Sequence, residues 1–137
     1  MSRVINPNQP GKERNRLRRA IALALRELVR EIKPTTKARD LGAFIVLSLE
    51  AISATVNTTV IAWEKRDYWV KADRFRMDWE WVTTLGSEMR QAVLAEDWAT
   101  IAISAAKVSQ HVSDVKISDR HRMGTPWVGA WKHLQEG

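Results

Sequence analysis

Hydrophobic residues recur every three or four positions in four long segments of this chain. The first such series is Leu17, Ile21, Ala24, Leu25, Leu28 and Ile32. This spacing places side chains on one face of a helix, so it predicts a helix from about Lys12 that ends before Pro34. A second series, from Leu41 to Trp63, predicts a longer helix over about residues 36–64.

The same spacing continues through the second half of the chain. It predicts a third helix from Asp67, which is a suitable N-cap, to about Ala95. A fourth helix follows, with Asp97 as its N-cap and Val112 near its end. The pair Thr125–Pro126 is a typical helix start and predicts a short fifth helix.

These segments predict the fold class. Alternation with a period of two, which is typical of strands, is absent. We therefore expect an all-α fold: an antiparallel four-helix bundle with a short fifth C-terminal helix. Residues 1–11 lack periodicity and contain Pro7, Pro10 and Gly11, so we expect a flexible N-terminal arm followed by one helical-bundle domain over residues 12–137. Gly42 and Gly86 fall inside predicted helices, where they indicate close helix approach.

Two further features bear on location. The second helix is long and nearly neutral, but a membrane span is disfavoured because Glu50 in mid-membrane would cost roughly 2.5–3.5 kcal/mol. The first residues show no secretory signal pattern. The 137 residues include no cysteine, which excludes disulfides, thiolate metal sites and thiol catalysis. We predict a cytoplasmic protein.

Charge is distributed unevenly along the chain. Residues 1–39 carry eleven Lys and Arg against three acidic residues, whereas residues 40–115 carry seven against eleven. Such a concentration of positive charge is typical of proteins that bind polyanions. The alternative interpretation is a solvated helix face with no partner.

The leading hypothesis is a non-enzymatic protein that binds RNA or DNA backbone as an accessory subunit of a larger assembly. Phosphate contacts of this kind give affinity without sequence discrimination. The predicted nucleic-acid-binding residues are Lys12, Arg14, Arg16, Arg18, Arg19, Arg26, Arg30, Lys33, Lys37, Arg120 and Arg122.

A second hypothesis is a protein–protein adaptor or a homo-oligomeric scaffold whose basic helix meets an acidic protein. Val70, Met77 and Trp81 cluster on a second apolar face of the third predicted helix, which needs its own partner. Basic residues alternate with aromatic ones over residues 63–81, as in single-strand binding sites. Acidic residues are interleaved with them, however, and favour a structural role for this segment.

The chain contains little that predicts an enzyme. Asp73, Asp78 and Glu80 are too far apart on one helix to hold a metal ion without help. Ser118, Asp119 and His121 are neighbours in a loop, whereas catalytic triads are assembled from distant parts of a fold. Glycine-rich phosphate loops are absent. We therefore predict no catalytic residue, no metal and no cofactor.

Overall fold

The computed structural model of this protein describes residues 9–137, and within that range the chain is all-helical with no strand. The predicted all-α class is therefore confirmed. The six helices are α1 (Gln9–Val29), α2 (Thr36–Lys65), α3 (Trp69–Asp78), α4 (Glu80–Leu94), α5 (Trp98–His111) and α6 (Ala130–Glu136).

Helix α2 is the centre of the packing. It contacts α1, α3, α4 and α6, while α5 packs mainly against α4 and touches α1. Leu41, Ile45, Leu49 and Ile52 of α2 are fully buried, which explains why this helix is apolar on several sides. Its first turn is capped by Thr35, whose hydroxyl accepts a hydrogen bond of 3.0 Å from the backbone N–H of Ala38.

Helix α2 is also the one helix among residues 9–137 that is long and apolar enough to cross a membrane. Core helices of water-soluble proteins meet the same criteria, so this is weak evidence of a span. The four helices packed on α2 cover part of it, and 39% of its most apolar 18-residue stretch is buried.

Two glycines mark where α2 and α4 approach each other, as the sequence indicated. A Cβ added at Gly42 would lie 3.3 Å from a methyl group of Val93, and one added at Gly86 would lie 3.5 Å from the Cβ of Leu49. Residues early in α2 therefore face residues late in α4, so the two helices run antiparallel.

Helix α1 differs from its prediction at both ends. Gln9, Pro10 and Gly11, which we assigned to the arm, form its first turn, where proline is tolerated because its missing N–H has no helical partner. Residues 1–8 of the predicted arm lie outside the described residues. At the other end α1 stops at Val29, so Ile32, predicted to be buried, is 96% exposed.

The prediction of one uninterrupted third helix is wrong. Residues 69–94 form α3 and α4, separated at Trp79, whose N–H bonds to the carbonyl of Phe75 while its φ of −109° departs from helical values. The hydrophobic periodicity did not reveal this break, because a one-residue interruption hardly changes the spacing. Trp79 packs against the core at this point.

Asp67 is not the N-cap of α3, contrary to prediction. It has a φ of +63° and follows the C-cap of α2 in a Schellman motif, in which the N–H of Tyr68 bonds to the carbonyl of Trp63 at 2.9 Å. Glu96 has a φ of +52° in an equivalent turn after α4. The N-cap role predicted for Asp97 is confirmed, because its carboxylate accepts the N–H of Thr100 at 3.2 Å.

The last helix begins later than predicted. Residues 126–129 form turns, and α6 starts at Ala130, not at Pro126. The backbone N–H groups at its start are capped by a residue distant in sequence. The Asp40 carboxylate on α2 accepts hydrogen bonds from the N–H groups of Gly129 at 3.3 Å and Trp131 at 2.9 Å. A local cap at Thr125 is thus replaced by a tertiary one, which attaches α6 to α2.

Candidate polyanion-binding surface

The loop over residues 112–124 lies along α1 and is attached to it by two arginines. Arg18 donates to the Asp114 carboxylate at 2.6 Å and to the carbonyl of His111 at 3.0 Å. Arg26 donates to the carbonyl of Ile117 at 3.0 Å and lies 3.6 Å from the Asp119 carboxylate. These contacts place a basic loop beside a basic helix, although the two are about ninety positions apart in the chain.

The excess positive charge of the described chain is confined to these two segments. Residues 9–33 carry eight basic and three acidic side chains, and residues 112–124 carry three and two. The remaining described residues, 34–111 and 125–137, carry ten basic and eleven acidic side chains. These two segments therefore hold a surplus of six positive charges, while the rest of the described chain is close to neutral.

Arg14 is used inside the fold and does not face solvent freely. Its guanidinium donates to the Thr59 hydroxyl at 3.0 Å and the Thr55 carbonyl at 3.2 Å, and it lies over the Phe75 ring at 4.8 Å from the ring centre. Burial lowers the pKa of Arg14 below its ordinary value. Arg14 was predicted to contact nucleic acid, but in the structure its guanidinium makes contacts within the fold.

Arg18 and Arg26 are likewise occupied, because they hold the loop on α1 as described. The hydrogen bond from Arg18 lowers the pKa of the Asp114 carboxyl. These two arginines position other cations and are poorly placed to contact a ligand themselves.

A third group forms exposed ion pairs. Arg16 pairs with Glu13, Arg30 pairs with Glu27 at 2.9 Å, and Lys37 lies 3.4 Å from Glu27. The hydrogen bond from Arg16 lowers the pKa of Glu13. Exposed pairs of this kind contribute roughly 0–1 kcal/mol, so these cations remain available to a stronger anionic partner.

The remaining predicted cations make no ion pair with any of residues 9–137, and all are exposed. They are Lys12, Arg19, Lys33, Arg120 and Arg122. At 100° per residue, Lys12, Arg16 and Arg19 share one outer face of α1, and Arg30 directly follows its last residue. We call the exposed cations of α1 and the adjoining loop the basic surface; it comprises Lys12, Arg16, Arg19, Arg30, Lys116, Arg120 and Arg122.

The predicted partner interface is divided by the helix break. Val70 and Met77 are 68% and 71% exposed on α3. Trp81 belongs to α4 and is half-buried, where its ring stacks on His111 with centroids 4.1 Å apart and an angle of 3° between the planes. The three side chains therefore do not form one exposed stripe, since Trp79 interrupts the helix between Met77 and Trp81.

Asp73, Asp119 and His121, which were weighed as catalytic groups or metal ligands, have other partners. Among residues 9–137, no group of three or more His, Asp and Glu side chains is arranged to hold a metal ion. Asp73 pairs with Arg76 at 2.6 Å. In the loop, the Nδ1 atom of His121 accepts the N–H of Met123 at 3.2 Å, while Asp119 faces Arg26.

Sequence reasoning missed the contacts that assemble this surface. Arg18 and Arg26 were assigned to a ligand, and the loop acids that bind them, Asp114 and Asp119, were not considered as their partners. One signal was present in the sequence: these acids alternate with basic residues in a loop that lies outside every predicted helix.

Comparison with known proteins finds no similar protein family, curated protein or solved structure.

Proposed function

We propose that the protein binds nucleic acid through the basic surface, contacting phosphates without reading bases, as an accessory subunit of a larger assembly. The observation that supports this proposal is the surplus of six positive charges on residues 9–33 and 112–124, which comprise α1, the four residues after it and the adjoining loop. Neutralising phosphates releases condensed counterions, which provides most of the affinity of non-specific complexes.

The distribution of ion pairs supports this use of the surface. Arg18 and Arg26 are consumed in attaching the loop, and this attachment brings Arg120 and Arg122 close to α1. Arg19 and Lys12 remain exposed on the helix itself. The surface therefore offers cations from two segments to a single polyanion.

Salt-dependent binding of a labelled DNA duplex tests the proposal. The logarithm of the binding constant should fall linearly with the logarithm of salt concentration, with a slope of roughly −0.9 per neutralised phosphate. The double variant Arg19→Gln/Arg122→Gln should bind more weakly and reduce the magnitude of the slope by about 2, because each lost phosphate contact reduces it by about 1.

A matched double variant controls for net charge. Arg74→Gln/Lys132→Gln removes two exposed cations from α3 and α6, outside the basic surface. Its affinity and slope should stay close to those of the unaltered protein. Equal losses in both double variants, or no binding at low salt, would contradict the proposal.

We also propose that the helices form a four-helix bundle of α1, α2, α4 and α5. Contacts run from α1 to α2, from α2 to α4, from α4 to α5 and from α5 back to α1, which closes a ring. Such a ring is typical of four-helix bundles. In this arrangement α3 and α6 are additions on the outside of α2.

An adaptor that binds another protein or a second copy is the other candidate function. The exposed Val70 and Met77 on α3 support it, because exposed apolar side chains are common at protein interfaces.

The cytoplasmic location also remains a prediction.

A further inference from the structure

A shallow groove lies between the first turns of α1 and the last three turns of α2. It consists of two adjoining hollows of about 620 and 450 Å³ that share Pro10 and Thr58. Ala54, Ile61 and Ala62 of α2 are exposed along it. At 100° per residue these side chains share one face of α2, so the groove has a continuous neutral floor.

Each hollow of this groove is lined by two cations. Lys12 and Arg16 line the first hollow, and Lys65 and Arg66 line the second. Glu13 is the one acidic residue among those lining the two hollows, and it is paired with Arg16. The groove therefore combines a neutral floor with two pairs of cations, one pair in each hollow.

We propose that this groove binds an acidic amphipathic helix of a partner protein. Residues 54–65 span about 16 Å at 1.5 Å per residue, which matches three turns of a helix. Helices of this type place apolar side chains at intervals of three and four residues into such grooves. Glutamates near both ends of the bound helix would meet the four cations.

Other occupants fit the groove less well. A nucleic-acid strand carries one charge per nucleotide, so its middle phosphates would face the uncharged Ile61 and Ala62. Residues 1–8 contain Arg3 and no acidic residue, so this segment does not complement the four cations. The groove shares Lys12 and Arg16 with the basic surface, but Ile61, Lys65 and Arg66 lie outside that surface, so variants at these three positions test the groove alone.

Fluorescence anisotropy with a labelled 14-residue peptide tests the proposal. The probe is a helical peptide with leucines on one face and glutamates near both ends. The variants Ile61→Glu and Lys65→Glu/Arg66→Glu should each weaken its binding at least about tenfold, since they put acidic groups against the floor or against the peptide glutamates. A peptide with lysines in place of the glutamates should not bind.

Controls separate the groove from the basic surface. Arg74→Glu/Lys132→Glu makes the same change of four charge units as Lys65→Glu/Arg66→Glu, at exposed positions on α3 and α6, and should alter peptide affinity by less than about twofold. Far-UV circular dichroism should show that each variant keeps its helices. The variant Lys65→Glu/Arg66→Glu should retain duplex DNA binding, so that failure of this proposal is distinguishable from failure of the proposed function.

Three results would overturn the proposal. The first is a peptide affinity that is unchanged by either groove variant. The second is a single-stranded oligonucleotide that binds this groove more tightly than the peptide and loses affinity on Ile61→Glu. The third is light scattering that shows a dimer of the unaltered protein which Ile61→Glu converts to a monomer, because a second copy would then be the occupant.

Discussion

Asp67 occupies a backbone conformation that favours glycine. Its φ of +63° lies in the left-handed region, which costs a residue with a Cβ roughly 1–2 kcal/mol. Asp67→Gly should therefore stabilise the protein by about 0.5–1 kcal/mol, less than the full cost because glycine also loses more chain entropy on folding. A urea titration measures this as a higher midpoint with an unchanged slope.

The alanine variant at the same position is the matched control. Asp67→Ala keeps the Cβ in the left-handed region and should bring no stabilisation. Equal stability of the glycine and alanine variants would contradict the assigned backbone strain. Glu96 occupies the equivalent turn, but its carboxylate is 2.6 Å from Arg39, so substitution there would also remove an ion pair.

Individual residues also show which predictions can be made from the neighbouring sequence alone. Asp97 caps α5 as predicted, since the capping bond depends only on residues next to it. Asp67 is an equally suitable N-cap by residue type, but in the structure it belongs to the turn that ends α2. Arg18 and Arg26 could not be assigned at all, because their partners are about ninety residues away and depend on the tertiary fold.

At the level of elements, the two helix glycines differ in the space around them. Gly86→Ala should stabilise by about 1 kcal/mol, because alanine favours helix and its Cβ would make an ordinary 3.5 Å contact with Leu49. Gly42→Ala should be less stable than Gly86→Ala, since its Cβ would lie 3.3 Å from a Val93 methyl group that is buried in the core.

Thermal unfolding of the two alanine variants beside the unaltered protein checks this order. The comparison is internally controlled, because both substitutions gain the same helix propensity and differ in their contacts across α2 and α4. A lower melting temperature for Gly86→Ala than for Gly42→Ala would contradict the described approach of these helices.

Helix boundaries set the limit of what the hydrophobic pattern predicts. The pattern located α2 and α5 well, because each lies between strong local signals such as Pro34 and Asp97. It missed the break at Trp79, where the tertiary packing of one large ring decides the backbone. It also missed the start of α6, which depends on Asp40 in α2. The sequence predicted the candidate site as a set of cations. Which of these cations can contact a ligand and which hold the loop depends on the tertiary fold, so it could not be predicted.

At the scale of the whole molecule, acid should weaken the attachment of the loop over residues 112–124 to α1. The hydrogen bond from Arg18 lowers the folded-state pKa of Asp114 below the ordinary value of about 3.9. A lowered pKa means that the contribution of this pair to stability is fully present above about pH 4 and is lost as the pH falls through the folded-state value. The basic surface would then lose one of the contacts that bring its two segments together, while the hydrogen bond from Arg26 to the Ile117 carbonyl would remain.

The variant Asp114→Asn isolates this contribution, because it weakens the Arg18 pair at every pH. At neutral pH its amide hydrogens over residues 112–124 should exchange faster than those of the unaltered protein. The difference in melting temperature between the two proteins should shrink as the pH is lowered from about 6 to about 3, since Asp114 of the unaltered protein becomes protonated. Asp78→Asn, at an exposed position on α3, should show no such convergence. A difference that stays constant or grows in acid would mean that Arg18 holds the loop through the His111 carbonyl alone.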